Sequence, residues 1–165
     1  MSLPNRDDQK ARWFPNLPQW TIPWSTRLQV WIYEKTRGRV FTKSMRMHHL
    51  LLYTVGRKSG RTNTSCLPYW VDSGGQRIIV ASLAGAPRHP AWFHNLADRA
   101  ANPEVRVRDK RELFWARADV LRGEERERIW AALIVDRPFY ARYQDRTERE
   151  IPLVRIVETR PDVSA

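Results

Sequence analysis

The sequence contains very little cysteine and no long apolar run. Cys66 is the single cysteine among 165 residues, so no disulfide can form within the chain. Its place in a strand-like stretch favours a small buried side chain over a nucleophile. No apolar segment approaches the roughly 20 residues of a membrane-spanning helix, and the N-terminus lacks the apolar core of a secretory signal. These absences predict a protein of the reducing cytoplasm.

The chain also lacks the motifs of metal centres and of common nucleotide sites. Its four histidines, His48, His49, His89 and His94, show neither the helical pair spacing nor the cysteine partners typical of zinc ligands. There is no glycine-rich P-loop and no Rossmann fingerprint. Strands and helices do not alternate as they do in a doubly wound sheet. The sequence therefore predicts no metal site and argues against a nucleotide-binding α/β enzyme.

Acidic residues are scarce relative to basic ones. The chain has 29 Lys and Arg against 18 Asp and Glu, which gives a formal net charge of +11. This charge favours an anionic partner, and three classes fit: a polyanionic small molecule, a nucleic acid or an anionic membrane face. The length and the 42% share of apolar residues predict one globular domain with its own core.

A basic hairpin is the most specific local signal. An apolar run of strand length, Leu50 to Val55, precedes a turn bracketed by Gly56 and Gly60, and a second extended stretch follows. The turn region carries three cations and one hydroxyl, which are Arg57, Lys58, Arg61 and Ser59. Such a turn can hold a phosphate or a carboxylate through its side chains and its exposed backbone N–H groups. The alternative is a solvated hairpin tip without a ligand.

The remaining pattern predicts a mainly β (α+β) fold. Further strands are expected at residues 77–82, 105–108, 111–121 and 151–157, helices at 90–100 and after Gly123, and a short segment from Pro138. Residues 72–75, Asp-Ser-Gly-Gly, are a strong turn signal. About six antiparallel strands with meander connections predict a small barrel with helices packed outside it.

The chain is expected to consist of an arm, a domain and a tail. Residues 1–24 form a Pro/Trp-rich arm whose prolines exclude a regular helix. Residues 25–160 form the barrel domain, and residues 161–165 form a loose tail. Ser25 is expected to cap a first helix that runs to about Thr36, and Gly38 to end it.

One face of this first helix is apolar, and two partners are open for it. The face is formed by Leu28, Trp31, Ile32 and Lys35. The first interpretation is that it packs against the barrel. The alternative is that the tryptophan-rich arm and helix contact an anionic membrane surface, on the inner face of the cell membrane.

Five blocks of the sequence belong together: GRKSG, VASLAGAPRHPAWFHNL, ANPEVRV, GEERERIW and FYARYQDRTEREIPLVRI. In this order, from about Leu50 to Val157, they resemble the deazaflavin-dependent nitroreductase family. The resemblance implies a split β-barrel that binds coenzyme F(420), an 8-hydroxy-5-deazaflavin, with flavin mononucleotide as the alternative cofactor. It implies hydride transfer from the reduced cofactor to a quinone or a nitroaromatic compound. It also implies a homo-oligomer or a membrane-associated protein.

The resemblance assigns roles to particular residues. Arg57 and Lys58, beside Ser59 and Arg61, would hold the phosphate and glutamate tail of the cofactor. The residues expected around the deazaflavin ring are Tyr69, Ser82, Ala84, Gly85, Ala86, Pro87 and Trp92. Ala86 would offer a backbone N–H to a ring heteroatom, which Pro87 cannot do. Tyr143, and after it Tyr140, would hydrogen-bond the negative charge that develops on the acceptor oxygen.

Two residues depart from the family pattern. Asn63 and Leu83 stand where the family usually has a cation facing the cofactor tail, and Arg61 or Arg88 can substitute for those cations. Three alternatives stay open, and only the first of them rests on Asn63 and Leu83. They are a non-catalytic barrel that binds a lipid or another hydrophobic ligand, a flavin- or haem-using relative, and a basic nucleic-acid-binding module.

Overall fold

The computed structural model describes residues 22–36, 43–44 and 47–163. In this part of the chain seven strands and four α-helices follow one another. The strands are β1 (Lys43–Ser44), β2 (Met47–Val55), β3 (Thr62–Val71), β4 (Arg77–Val80), β5 (Val105–Asp109), β6 (Glu112–Val120) and β7 (Leu153–Pro161). The helices are α1 (Ile22–Lys35), α2 (Ala91–Ala97), α3 (Gly123–Asp136) and α4 (Phe139–Gln144), with a 3-10 turn at Leu83–Gly85.

Six of these strands close into an antiparallel barrel. The strand order around the barrel is β2-β3-β4-β7-β6-β5, and pairing of β5 with β2 closes it. The short β1 pairs with the first residues of β2. The predicted barrel with helices outside is therefore confirmed. The predicted meander is wrong after β4. Because the chain crosses one end of the barrel through α2, β5 lies beside β2, and β7 fills the gap between β4 and β6.

Successive side chains of a strand point to opposite faces, so the strands contribute to two hydrophobic cores. Side chains from alternate strand positions fill the barrel interior, and they include Leu50, Leu52, Ile79, Phe114 and Ile156. A second cluster lies outside the barrel under α3 and α4, and includes Met47, Ile78, Leu133, Tyr140 and Leu153. Burial of each large apolar side chain contributes about 1.5–3 kcal/mol to the stability of the fold. Strand β2 and the first half of β7 are buried on nearly all positions, which fits their almost continuous apolar runs, whereas β5 alternates buried and half-buried residues.

Helix α1 differs from its prediction at both its start and its face. It begins at Ile22, so Ser25 lies inside the first turn rather than before it. Leu28 and Trp31 remain 59% and 57% exposed, whereas Tyr33 is fully buried. The Tyr33 hydroxyl donates to the His49 carbonyl at 3.0 Å and accepts the Lys110 N–H at 2.8 Å. These two hydrogen bonds of Tyr33 fix the orientation of the helix on the barrel. Gly38 and the arm before residue 22 lie outside the described residues.

The C-terminal tail is attached where the sequence predicted it to be loose. Strand β7 continues through Pro161. The Asp162 N–H donates to the Leu113 carbonyl at 2.9 Å, and the Asp162 carboxylate pairs with Arg106. Backbone pairing with β6 and this ion pair hold the segment against the barrel up to that residue.

Strand register brings three segments together at one end of the barrel. Strand β3 pairs with β4 only from Tyr69 to Val71, so the β2–β3 hairpin projects well past β4. The loop that follows Val80 and the segment that precedes Leu153 leave the barrel in the same direction, because these two residues are paired. The hairpin tip (residues 56–61), the loop 81–90 and the segment 145–152 thus form what we call the hairpin end.

Candidate cofactor site at the hairpin end of the barrel

The basic hairpin is a closed turn with exposed cations. The Gly56 N–H donates to the Arg61 carbonyl at 2.8 Å, and the Gly60 N–H donates to the Gly56 carbonyl at 2.8 Å. The side chains of Arg57, Lys58 and Arg61 are exposed. None of the carboxylates in the described ranges forms a salt bridge with any of the three. The tip therefore presents an uncompensated positive charge.

The backbone N–H groups of this turn are mostly used within the protein. Acceptors within 3.3 Å are found for the N–H groups of Gly56, Arg57, Ser59, Gly60 and Arg61. The expectation that several exposed N–H groups bind an anion is therefore wrong. Ser59 accepts the Arg61 N–H through Oγ at 3.3 Å, which leaves its hydroxyl hydrogen to donate. An anion at this tip would therefore be held mainly by side chains and not by the backbone.

Two buried asparagines, which the sequence analysis did not identify, fix the base of the hairpin to helix α2. Asn95 accepts the Arg57 N–H at 3.3 Å and donates to Thr54 Oγ1 at 3.0 Å. Asn102 accepts the Val55 N–H at 2.7 Å and donates to the carbonyls of Val55 and Asn95, at 3.0 and 2.9 Å. A buried amide with all its groups paired specifies one geometry. The sequence signal that could have identified these two asparagines is their position in the blocks FHNL and ANP.

The loop 81–90 contains three consecutive residues with positive φ. Leu83, Ala84 and Gly85 have φ of 45°, 54° and 81°. For residues with a Cβ this conformation costs about 1–2 kcal/mol each. The Ala86 N–H donates to the Leu83 carbonyl at 3.0 Å, so the donor expected there for the cofactor ring is already used. Arg149, also not identified from the sequence, donates to three carbonyls of this loop.

Tyr69 and Trp92 lie in the barrel interior. Tyr69 is buried, its ring stacks on His48 with centroids 5.8 Å apart, and its hydroxyl donates to Asp109 Oδ2 at 2.9 Å. Burial, with this hydrogen bond to Asp109, raises the pKa of Tyr69. Trp92 projects from α2 into the same core. The Tyr69 hydroxyl is thus bonded beside the β5–β6 turn, at the end of the barrel opposite the hairpin tip, and the contact of either aromatic with a cofactor stays a prediction.

The two candidate tyrosines of α4 occupy different surroundings. Tyr140 is 3% exposed in the outer cluster, where its hydroxyl lies 3.9 Å from Met47 Sδ, and burial raises its pKa. Tyr143 is half-buried, with the Arg146 guanidinium 5.7 Å from its ring centroid. The backbone of Tyr143 touches the loop, because a Cβ on Gly85 would lie 2.6 Å from the Tyr143 carbonyl oxygen. Tyr143 is thus the better candidate, and Tyr140 is part of the core.

Comparison with known proteins decides which chemistry this arrangement serves. The family described as F(420)H(2)-dependent quinone reductase matches residues 24–159. An F(420)H(2)-dependent quinone reductase of Mycobacterium tuberculosis (strain H37Rv) is 36% identical over 132 residues, which is 78% of this chain and 86% of that protein. This chain belongs to the F(420)H(2)-dependent quinone reductase family. It is therefore a deazaflavin-dependent oxidoreductase, as the sequence predicted, and F(420) is the cofactor of its family.

Solved structures agree with this membership. An F(420)-H(2) dependent reductase (FDR-A) superposes with a TM-score of 0.54 at 38% identity, over 66% of this chain and 92% of that chain. A second structure, described as a domain-swapped dimer, gives a TM-score of 0.57 at 34% identity, over 82% and 98% of the two chains. The split-barrel fold predicted for this quinone reductase is thereby confirmed.

Asn63 and Leu83 carry no charge to the site of this quinone reductase. The Asn63 amide donates to the Arg61 carbonyl at 2.9 Å and lies over Gly56, where a Cβ would meet Asn63 Nδ2 at 2.6 Å. Asn63 therefore closes the hairpin instead of facing a ligand. Leu83 lies exposed on the loop. Arg61 is the additional cation that remains at the tip.

Three further findings concern the described part of this quinone reductase. No group of three or more His, Cys, Asp or Glu side chains there is placed to hold a metal ion. None of the described helices is both long enough and apolar enough to cross a membrane. Burial raises the pKa of the Cys66 thiol to about 12, so the thiol stays protonated at neutral pH.

Proposed function

We propose that this protein transfers a hydride from reduced F(420), bound at the hairpin end, to a quinone, with nitroaromatic compounds as further acceptors. The observation that carries the proposal is the basic hairpin. Its three exposed cations have no carboxylate partner in the described residues, and Asn95 and Asn102 hold it against α2. Family membership supports both the cofactor and the reaction.

The residues present fit an anionic deazaflavin cofactor. Arg57, Lys58 and Arg61 would hold the phosphate and carboxylates of its tail, since a guanidinium makes a two-pronged contact with either group. Ser59 can add its hydroxyl. The loop residues Ser82, Ala84 and Pro87 lie next in the chain to α2, the helix that anchors the hairpin. This connection of loop, helix and hairpin supports the proposal that the residues named here bind the tail and the ring of one cofactor.

The chemistry divides between cofactor and protein. Reduced F(420) supplies the hydride. The protein holds its tail, fixes the loop 81–90 and positions the acceptor, so that no acid–base pair or metal is needed. The hydroxyl of Tyr143 would donate to the acceptor oxygen, where negative charge develops during the transfer.

Fluorescence titration with oxidised F(420) tests the site. Arg57→Ala and Lys58→Ala should each weaken binding about tenfold, because each removes a charge-assisted contact. Arg128→Ala is the control, since Arg128 is an exposed cation on α3 and belongs to none of the three segments that form the hairpin end. Flavin mononucleotide, titrated in parallel, should bind more weakly. Absence of F(420) binding up to about a millimolar would refute the proposal and favour a lipid or nucleic-acid ligand.

Quinone reduction by the loaded protein tests the role of Tyr143. Tyr143→Phe keeps the ring and removes the hydroxyl, so kcat should fall while F(420) affinity stays constant. Tyr140→Phe is the matched comparison, because the Tyr140 hydroxyl is buried beside Met47. Equal loss of kcat in the two variants would contradict the assignment of Tyr143.

Contact with an anionic membrane is a second proposed role, favoured by Leu28 and Trp31. Their exposed apolar surface on α1, within a chain of net charge +11, suits peripheral binding at the inner face of the cell membrane. Leu28→Gln with Trp31→Gln should abolish sedimentation with vesicles that contain a third phosphatidylglycerol. If the wild type does not sediment with them, this role is wrong.

Self-association is proposed on separate grounds. One of the similar solved structures is described as a domain-swapped dimer. Light scattering coupled to size-exclusion chromatography measures the mass of this protein directly. A mass close to 19.5 kDa at all concentrations would exclude a stable dimer.

A further inference from the structure

We propose that Arg149 is the positioning residue of the active site: it fixes the conformation of the loop 81–90 on which ring binding depends. The inference rests on the proposed function for its link to the cofactor. Its structural part concerns only this chain.

The contacts of Arg149 converge on one loop. Nε donates to the Ala86 carbonyl at 2.9 Å. Nη2 donates to the carbonyls of Ser82 and Ala81, at 2.8 and 3.2 Å. Nη1 lies 3.1 Å from Nδ1 of His89. All three guanidinium nitrogens are therefore engaged, and all their partners lie more than 59 residues earlier in the chain.

The loop needs an external constraint of this kind. Leu83 and Ala84 have positive φ, a conformation that persists only where the surroundings enforce it. Three carbonyl groups that point toward one place repel one another unless a cation lies between them. A planar guanidinium with a fork of donors satisfies all three at once, whereas a lysine ammonium is a point charge with a different geometry.

Arg149 is itself held by a rigid segment. Gln144 donates to the Arg149 carbonyl at 2.8 Å and to the Thr147 carbonyl at 3.2 Å, and it accepts the Ile151 N–H at 2.9 Å. Arg126, buried on α3, donates to the Ile151 carbonyl at 3.2 Å. Helices α3 and α4 thus define where the Arg149 guanidinium lies.

The consequence is a fixed relation between the two parts of the site. Arg149 sets the loop that contains Ser82, Ala84 and Pro87, and this loop leads into α2, where Asn95 holds the basic hairpin. Loss of Arg149 should release the loop while the hairpin stays attached. Arg149 acts through the loop and is not itself a catalytic residue.

The first measurement uses the protein without cofactor. Imidazole nitrogen NMR reports on His89, whose Nδ1 accepts from Arg149 and must therefore be unprotonated, with the proton on Nε2. In Arg149→Lys the His89 Nδ1 signal should shift and the thermal unfolding midpoint should stay within a few degrees of Arg128→Lys, the control. An unchanged His89 signal in Arg149→Lys would overturn the inference whatever the cofactor does.

The second measurement adds oxidised F(420). Arg149→Lys and Arg149→Ala should bind it at least tenfold more weakly than the wild type, and ethylguanidinium, but not ethylammonium, should restore binding to Arg149→Ala. Wild-type affinity in both variants, or a loss that ethylguanidinium does not reverse, would overturn the positioning role. If the wild type itself fails to bind F(420), the proposed function fails, and with it the link to the cofactor. The NMR result still decides whether Arg149 makes its contact with His89 of the loop.

Discussion

Gly85 shows how closely the loop and helix α4 approach. It has a φ of +81°, and a Cβ there would lie 2.6 Å from the Tyr143 carbonyl oxygen and 2.9 Å from Arg146 Cβ. Gly85→Ala therefore combines a left-handed conformation, about 1–2 kcal/mol, with a clash against backbone, about 1–3 kcal/mol. We expect urea denaturation to show a loss of roughly 2–5 kcal/mol in the free energy of unfolding.

Gly75→Ala is the matched control for this prediction. Gly75 has a φ of +75°, but a Cβ at this position would meet no other atom within 4 Å, so only the conformational cost applies. The difference between the two variants measures the contact of the loop with α4. Equal losses in the two variants would mean that the loop can move away from Tyr143 at no cost.

His89 gives the site a predictable pH dependence. Burial is the largest cause that lowers its pKa, and the positive charge of Arg149 and the neighbouring His94 add to it. Because the folded pKa lies below the unfolded value of about 6.5, the neutral form stabilises the fold; that contribution is complete above about pH 6.5 and is lost as the pH falls. Protonated His89 also repels Arg149, so F(420) affinity should fall between pH 7 and pH 5.

The variant His89→Gln isolates this effect. A glutamine carbonyl can accept from Arg149 at every pH, so its F(420) affinity should change less between pH 7 and pH 5 than that of the wild type. The difference between the two proteins cancels any titration of the cofactor itself. Parallel pH profiles would show that the His89–Arg149 contact does not control the loop.

The basic hairpin and α2 form one unit because Asn95 and Asn102 join them. Asn95→Ala removes the acceptor of the Arg57 N–H and the donor to Thr54, and should cost about 1–3 kcal/mol of stability. It should also speed hydrogen exchange at the Arg57 amide and weaken F(420) binding. Asn63→Ala is the comparison, because the hydrogen bond of Asn63 lies within the hairpin and does not join it to α2, so exchange at the Arg57 amide should change less. If the Arg57 amide of Asn95→Ala exchanged at the wild-type rate, Asn95 would not hold the hairpin to α2.

The strands were predictable because their signals are local. Apolar runs such as residues 50–55 and turn residues such as Gly74 and Gly75 specify strand and turn directly. The start of β2 at Met47 was not predicted, since His48 and His49 make the run look polar. The position of β7 between β4 and β6 was not predictable either, because it depends on which barrel edge the α2 crossover leaves open.

The candidate site was predictable only where charge or resemblance marked it. The cations of the hairpin were evident from composition. Asn95 and Arg149 were not, because their hydrogen-bond partners lie between 38 and 68 residues away in the chain and leave no local pattern. The apolar face of α1 was misjudged because Tyr33 is anchored by its hydroxyl, whereas spacing alone favoured Leu28 and Trp31.

At the scale of the whole molecule, several arginines are paired with carboxylates within the fold. Arg77 Nε lies 2.8 Å from Asp109 Oδ2, and Arg155 Nη1 lies 2.7 Å from Glu125 Oε1. Arg106 forms a salt bridge with Asp162. The hairpin differs from these pairs because its cations have no carboxylate partner among the described residues. The net charge of +11 can attract an anionic cofactor from any direction, and our proposal is that the hairpin cations decide where it binds.

Salt dependence separates these two contributions. Raising NaCl from 50 mM to 500 mM shortens the screening length from more than 10 Å to less than 8 Å, so F(420) affinity should fall. The double variant Arg57→Gln/Lys58→Gln should bind more weakly and show a shallower dependence on salt. Arg111→Gln/Arg128→Gln lowers the net charge by the same amount at two exposed positions outside the hairpin end, and should retain the wild-type slope. If the two double variants change alike, overall charge rather than the hairpin attracts the cofactor, and the tail site must be sought elsewhere on the barrel.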